Sequence, residues 1–217
     1  MDTNVEDTVL ILPIGGLGGL GKTTLAQLVF NDEKIQNRFE QKLWVCISDD
    51  FEVKIIVKKI LECAKNNKPE YLELNTLINE LNKEIDGKRY LLVLDEVWNE
   101  DPHKWFELKN LLMVGGTTRI NIVAETTQTV QPYMLKGLDD EKSWSLFKRS
   151  ASAKGQDLES SLIKAIGMEI IAKCKGVPLA IRTLGSILYF KNPGKEWLSF
   201  KVSEFSKLAQ KENEMIN

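Results

Sequence analysis

Apolar residues along the chain change period repeatedly, and each change marks an element. Thr8-Val9-Leu10-Ile11-Leu12 is a short β-type run. After a glycine-rich stretch, Leu25, Ala26, Leu28, Val29 and Phe30 recur at helical spacing. A second strand is read over Lys42–Ile47 and closed by Ser48-Asp49-Asp50. Val53, Ile56, Val57, Ile60 and Leu61 form a 3-4 spaced stripe, and polar residues 65–69 break it. Leu72, Leu74, Leu77, Ile78, Leu81 and Ile85 predict another helix, ending at Asp86-Gly87. Tyr90-Leu91-Leu92-Val93-Leu94 is apolar at every position, the pattern of a parallel strand buried on both faces. A helix over His103–Met113, presenting Trp105, Phe106, Leu108, Leu111 and Leu112, follows, then a strand at Ile120–Val123 and a last strand at Gln131–Leu135. From Leu138 onward the pattern is helical only: a helix from Asp139, another over Leu158–Lys175, a third opened by Pro178, and a last one over Lys195–Leu208. The alternation predicts an α/β fold, a parallel sheet with helices on both faces over residues 1–137, and a small all-helical subdomain over 138–217.

Composition narrows the class. With 43% hydrophobic and 28% charged residues among 217, the chain is globular. Lys+Arg 29 against Asp+Glu 31 leaves a net charge of −2, so no basic field draws it to DNA or to an anionic membrane. No apolar run approaches the length of a membrane span, and the acidic start Met1–Asp7 is unlike a signal peptide, which predicts a cytoplasmic protein with no integral membrane segment. Cys46, Cys63 and Cys174 are far apart and read as buried, reduced thiols.

The candidate chemistry starts at Gly16-Leu17-Gly18-Gly19-Leu20-Gly21-Lys22-Thr23-Thr24, which fits the phosphate-binding pattern G-x-x-x-x-G-K-[ST] between a strand and a helix. Backbone N–H groups of Gly18, Gly19, Leu20 and Gly21, together with the N-terminus of a helix beginning near Lys22, suit a nucleotide's β-phosphate. Lys22 would reach the β- and γ-phosphates, the Thr23 hydroxyl would bind Mg²⁺, and Thr24 would bond the α-phosphate. A second acid fits the same metal. Asp95 ends the apolar strand at its carboxyl end, where ligands sit in open α/β sheets, and would hold waters around the Mg²⁺. Asp49 and Asp50 read as a turn with an N-cap, and His103, the single histidine, as a surface residue at a helix start.

Five ordered motifs carry a further resemblance: Gly16–Thr24, Phe39–Phe51, Tyr90–Trp98, Leu135–Leu138 with Ser143–Phe147, and Cys174–Ala180. Together they resemble the NB-ARC module of plant nucleotide-binding, leucine-rich-repeat immune receptors of the coiled-coil-headed kind, and the resemblance covers nearly the whole chain. It implies a P-loop NTPase fold and a switch in plant defense that holds ADP at rest and ATP when active, with slow hydrolysis as the reset. It also implies that Pro178 and its neighbour Leu179 lie on the adenine side of the nucleotide. Glu96 stands where the family usually has a second aspartate, and is implied to orient the attacking water. The family's Thr-Thr-Arg ends the strand after the aspartate motif, whereas here Thr117-Thr118-Arg119 precedes the strand and Ala124–Gln128 follows it without an arginine, so Arg119 is not assigned as a γ-phosphate sensor. Without an arginine on the developing charge, a factor of about 10³ or more in turnover is forgone. The family's adenine-binding segment upstream of the first strand, its second helical unit with Met-His-Asp and its leucine-rich repeats are not in this sequence, so the resemblance is to a truncated receptor. A second reading is a degenerate fragment that acts as a non-catalytic interaction module, pairing with full-length receptors or other host proteins. A third, a P-loop kinase, needs an acceptor site and an arginine-rich lid, and neither is visible.

Overall fold

The computed structural model describes residues 10–47, 51–68, 73–97, 101–113, 120–123, 132–152, 158 and 160–203. The chain divides into two units, Met1–Gly16 with Lys22–Leu135, and Leu17–Gly21 with Lys136–Asn217.

The first unit is built around alternation in its central strands. β1 (Leu10–Leu12), β3 (Gln41–Cys46), β4 (Tyr90–Asp95) and β5 (Ile120–Val123) make a four-stranded sheet in the order β1-β5-β4-β3, parallel throughout. In β4, Tyr90, Leu92 and Leu94 enter one core with Leu43 and Val45 of β3, while Leu91 and Val93 enter a second on the opposite face. Burial on both faces is why β4 has no polar alternation. α1 (Lys22–Asn31) covers the second face through Ala26 and Phe30, with Trp44 of β3 edge-on to Phe30 at 5.4 Å. A short α2 (Glu33–Gln36), capped by the Asp32 carboxylate on the Lys34 N–H, follows α1 and is too short to show in the hydrophobic period.

α3 (Val53–Lys65) and α4 (Leu74–Ile85) cover the first face. The five stripe residues of α3 are all buried, each contributing on the order of 1.5–3 kcal/mol of apolar burial. The left-handed Asn66 ends α3, and Gly87, at φ +69°, follows the end of α4. α5 (Pro102–Met113) adds Trp105, Leu108 and Leu112 to this core, but Phe106 is exposed, because it lies off the stripe that those three define. The last strand along the chain, β6 (Tyr133–Met134), pairs with β2 (Ile14–Gly15) apart from the four-stranded sheet. Thr8, Val9, Ser48, Asp49, Asp50, Leu72, Thr117–Arg119, Ala124–Gln128, Gln131 and Glu204–Leu208 lie outside the described residues. Glu52 occupies the N-cap position of α3, with no side-chain cap bond.

In the second unit, α6 (Asp140–Ala151), α7 (Ser161–Ala172), α8 (Pro178–Leu188) and helical residues 195–203 enclose one core. Asp139 caps α6 by accepting from the Lys142 N–H at 2.8 Å, with Asp140 and Glu141 in the first turn and Lys148 and Arg149 in the last, as the helix dipole favours. Phe147 is fully buried between Trp144 and Trp197, at centroid distances of 5.8 and 5.2 Å, and the Trp197 indole N–H donates to the Leu188 carbonyl at 3.4 Å. Gly137 and Gly176 let two backbone segments touch: the Leu138 N–H donates to the Gly176 carbonyl at 2.8 Å, and a Cβ on Gly137 would stand 2.5 Å from the Lys175 carbonyl. Among the described residues no helix is long and apolar enough to cross a membrane.

Candidate functional site

The sheet contributes its carboxyl edge. Register pairs Cys46, the last residue of β3, with Asp95, the last of β4. Asp95 follows Val93 by two positions, so it projects to the face that α1 covers. α1 starts at Lys22, which places Thr23 in its first turn, and the Thr23 hydroxyl donates to the Asp95 carboxylate at 2.9 Å. Two residues 72 positions apart, both chosen from sequence as magnesium-side groups, therefore meet. The Lys22 ammonium donates to the Gly16 carbonyl at 2.8 Å. Thr24 is exposed on α1.

The loop itself is shaped by residues 17–21. The Leu20 N–H donates to the Leu17 carbonyl at 3.4 Å, and Gly19 and Gly21 have φ of +79° and +98°, a region that side-chain-bearing residues rarely adopt. Gly19 is also tightly enclosed, since a Cβ there would lie 2.9 Å from Leu179 Cβ and 3.1 Å from a Val177 methyl. Pro178 is the first residue of α8, where its missing N–H costs nothing. The next N–H, that of Leu179, has no acceptor within its own helix and donates to the Gly19 carbonyl at 3.2 Å. Gly19 and Leu179 are thus brought together, and Leu179's side chain is 60% exposed, open to a further contact.

Glu96 follows β4 at φ +58°, left-handed for a residue with a side chain, a conformation held only where its surroundings impose it. Its carboxylate accepts from the Cys46 thiol at 3.0 Å. The sequence reading of Cys46 as a buried thiol is corrected: it is exposed, because it stands at the last position of β3, past the packed part of the strand. Cys63 is half-buried and Cys174 buried, and all three cysteines are free. The bond to Glu96, then burial, then the charges of Glu96 and Asp95 push the Cys46 thiol up to about 11, so at neutral pH it is a protonated donor and a poor nucleophile. Lys59 of α3 donates to the Cys46 carbonyl at 2.8 Å. Neither Cys46 nor Lys59 stood out in the sequence. The available signal was that two strands ending in Cys46 and Asp95 belong to one parallel sheet, whose ends align.

These residues fit a nucleotide's divalent cation: a hydroxyl and a carboxylate converge, and an ammonium lies at the start of α1.

Comparison with known proteins agrees with this chemistry. The NB-ARC domain family matches residues 2–157. The putative disease resistance protein RGA1 of Solanum bulbocastanum is 45% identical over 95% of this chain and 22% of its own length. The disease resistance protein RGA2 of the same plant is 42% identical over 98% of this chain and 23% of its own, and the putative disease resistance RPP13-like protein 1 of Arabidopsis thaliana 33% identical over 88% and 19%. The chain spans about a fifth of the length of these curated relatives.

Proposed function

Because the chain belongs to the NB-ARC domain family, we propose that it is the nucleotide-binding switch module of a plant immune receptor, holding ADP or ATP with Mg²⁺ and hydrolysing ATP slowly at most. The observation that carries this reading is the Thr23–Asp95 hydrogen bond, which joins the first turn of α1 to the end of β4 at the place where a nucleotide's metal belongs. The nucleotide-binding domain is placed at 1–137 and the helical subdomain at 138–217. Gly18, Gly19, Leu20 and Gly21 offer backbone N–H groups to the phosphates, Lys22 exchanges its Gly16 carbonyl for β- and γ-phosphate oxygens, and Thr24 reaches the α-phosphate. Thr23 and Asp95 hold the Mg²⁺, directly and through its waters. The bound cation neutralises charge on the phosphates. Pro178 and Leu179 take the adenine side, and Glu96 orients the attacking water. Since the Leu179 N–H and the Gly19 carbonyl are bonded, a change in the loop on nucleotide exchange is felt at the start of α8, which is a physical route by which ADP and ATP states differ. Full-length receptors of the same kind, or other host proteins, are the protein partners, in the cytoplasm.

Isothermal titration of the chain with ADP and with ATP, with and without Mg²⁺, tests this. Binding is expected, and Lys22→Ala is expected to weaken it about 10- to 100-fold, the loss of a charge-assisted phosphate contact. No binding by a folded wild-type chain would replace the switch with the non-catalytic interaction module.

A further inference from the structure

Three observations converge on the thiol of Cys46. β3 alternates, with Leu43 and Val45 in the core under α3 and Trp44 in the core under α1, so Cys46 projects to the α1 face, the same face as Asp95, its register partner. Immediately after Asp95 the chain turns through the left-handed Glu96, and the Glu96 carboxylate comes back to the end of β3 to accept from the Cys46 thiol at 3.0 Å. Cys46 is itself anchored, because Lys59 of α3 reaches its carbonyl at 2.8 Å.

A glutamate side chain has three torsions and, exposed as Glu96 is, loses its position readily. A carboxylate that must orient one water cannot be so loose, since misplacement by an ångström is costly to rate. We propose that Cys46 is a positioning residue for Glu96: its thiol holds the carboxylate at the carboxyl edge of β3 and β4, in place to orient the water that attacks the nucleotide. This rests on the hydrolytic role of Glu96 given above. In this role Cys46 acts only through the carboxylate it bonds. The assignment separates two properties that a structural role would move together, because Cys46 carries no phosphate contact while Glu96's orientation matters only to the chemical step.

The test uses the full chain in four forms: wild type, Cys46→Ala, Cys46→Ser and Glu96→Ala. Single-turnover ATP hydrolysis and nucleotide affinity are measured for each, together with the infrared S–H stretching band of the protein. The expected result is a three- to ten-fold slower turnover in Cys46→Ala, the worth of one modest hydrogen bond, with nucleotide affinity unchanged and turnover restored in Cys46→Ser, which keeps a donor. The S–H component that disappears in Cys46→Ala should lie at the low-frequency, hydrogen-bonded side in wild type and move to higher frequency in Glu96→Ala. Cys46→Ala turning over like wild type while Glu96→Ala is slow, or an S–H band indifferent to Glu96→Ala, overturns the positioning role and leaves the function of Glu96 standing. Glu96→Ala turning over like wild type instead overturns the hydrolytic role of Glu96, and the positioning role with it.

Discussion

At the scale of the residue, the most constrained position of the phosphate-binding loop is Gly19. It combines a φ of +79° with a carbonyl bonded to the Leu179 N–H and with no room for a side chain against Leu179 and Val177. Gly19→Ala therefore carries both a backbone and a steric penalty, on the order of 1–3 kcal/mol. Much of it is expected to fall on the loop's nucleotide-binding geometry, and titration should show ADP affinity reduced by about tenfold in a chain whose far-ultraviolet circular dichroism is unchanged. Unchanged affinity would show that the loop accepts nucleotide in another conformation. Residue identity alone pointed to Lys22, Thr23 and Asp95, because a phosphate admits few partners beyond a cationic side chain and its Mg²⁺ few beyond hydroxyl and carboxylate oxygens. It did not point to Cys46, whose thiol gains meaning only from the carboxylate beside it.

At the scale of the element, the packing of α3 against α4 has an electrostatic part as well as an apolar one. Lys65, at the end of α3, pairs with Glu80 of α4, which also accepts from Lys83 at 2.9 Å. The hydrogen bond from Lys65, then that from Lys83, then their charges hold the Glu80 carboxyl down at about 2. A carboxylate whose pKa is lowered by folding contributes stability that is complete above the ordinary glutamate range and is lost as pH falls through that range toward the folded value. The stability difference between wild type and Glu80→Gln, measured by urea unfolding, should thus be present at pH 7, smaller at pH 3.5, and reduced by 1 M salt at either pH. The pair is about a third exposed, so the difference is small even at its largest. A difference that grew on acidification would remove this pair from the account. The stripes of α3 and α4 were legible from spacing, since burial of one helix face imposes its period on the sequence. The two-residue β6 falls inside the strand read at Gln131–Leu135, whereas the two-residue β2 and the four-residue α2 were not legible, because so short a segment carries no full period.

At the scale of the whole molecule, a nucleotide that binds only the folded chain stabilises it by mass action. ADP with Mg²⁺ at a hundred times its Kd should add about 2.7 kcal/mol, raising the thermal midpoint by roughly 5–10 °C for a chain of this size. Lys22→Ala, binding about 10- to 100-fold more weakly, should keep at most about half of that shift at the same concentration. An equal shift in both would mean that the nucleotide acts elsewhere than the loop. The amino-acid sequence by itself determined the α/β class, the parallel sheet and the loop, because hydrophobic period, glycine content and the Gly-Lys-Thr signature are local properties of the chain. It also determined the helical character of the segment after Leu138, through caps such as Asp139 and the opening proline of α8. Only the tertiary structure decided the order β1-β5-β4-β3, and with it that Cys46 stands beside Asp95. The same holds for the return of Glu96 to the end of β3 and for the meeting of Gly19 with the first turn of α8. Which strand neighbours which, and which loop carbonyl answers an orphan N–H, depends on residues 50 to 160 positions apart, whose pairing leaves no period in the sequence.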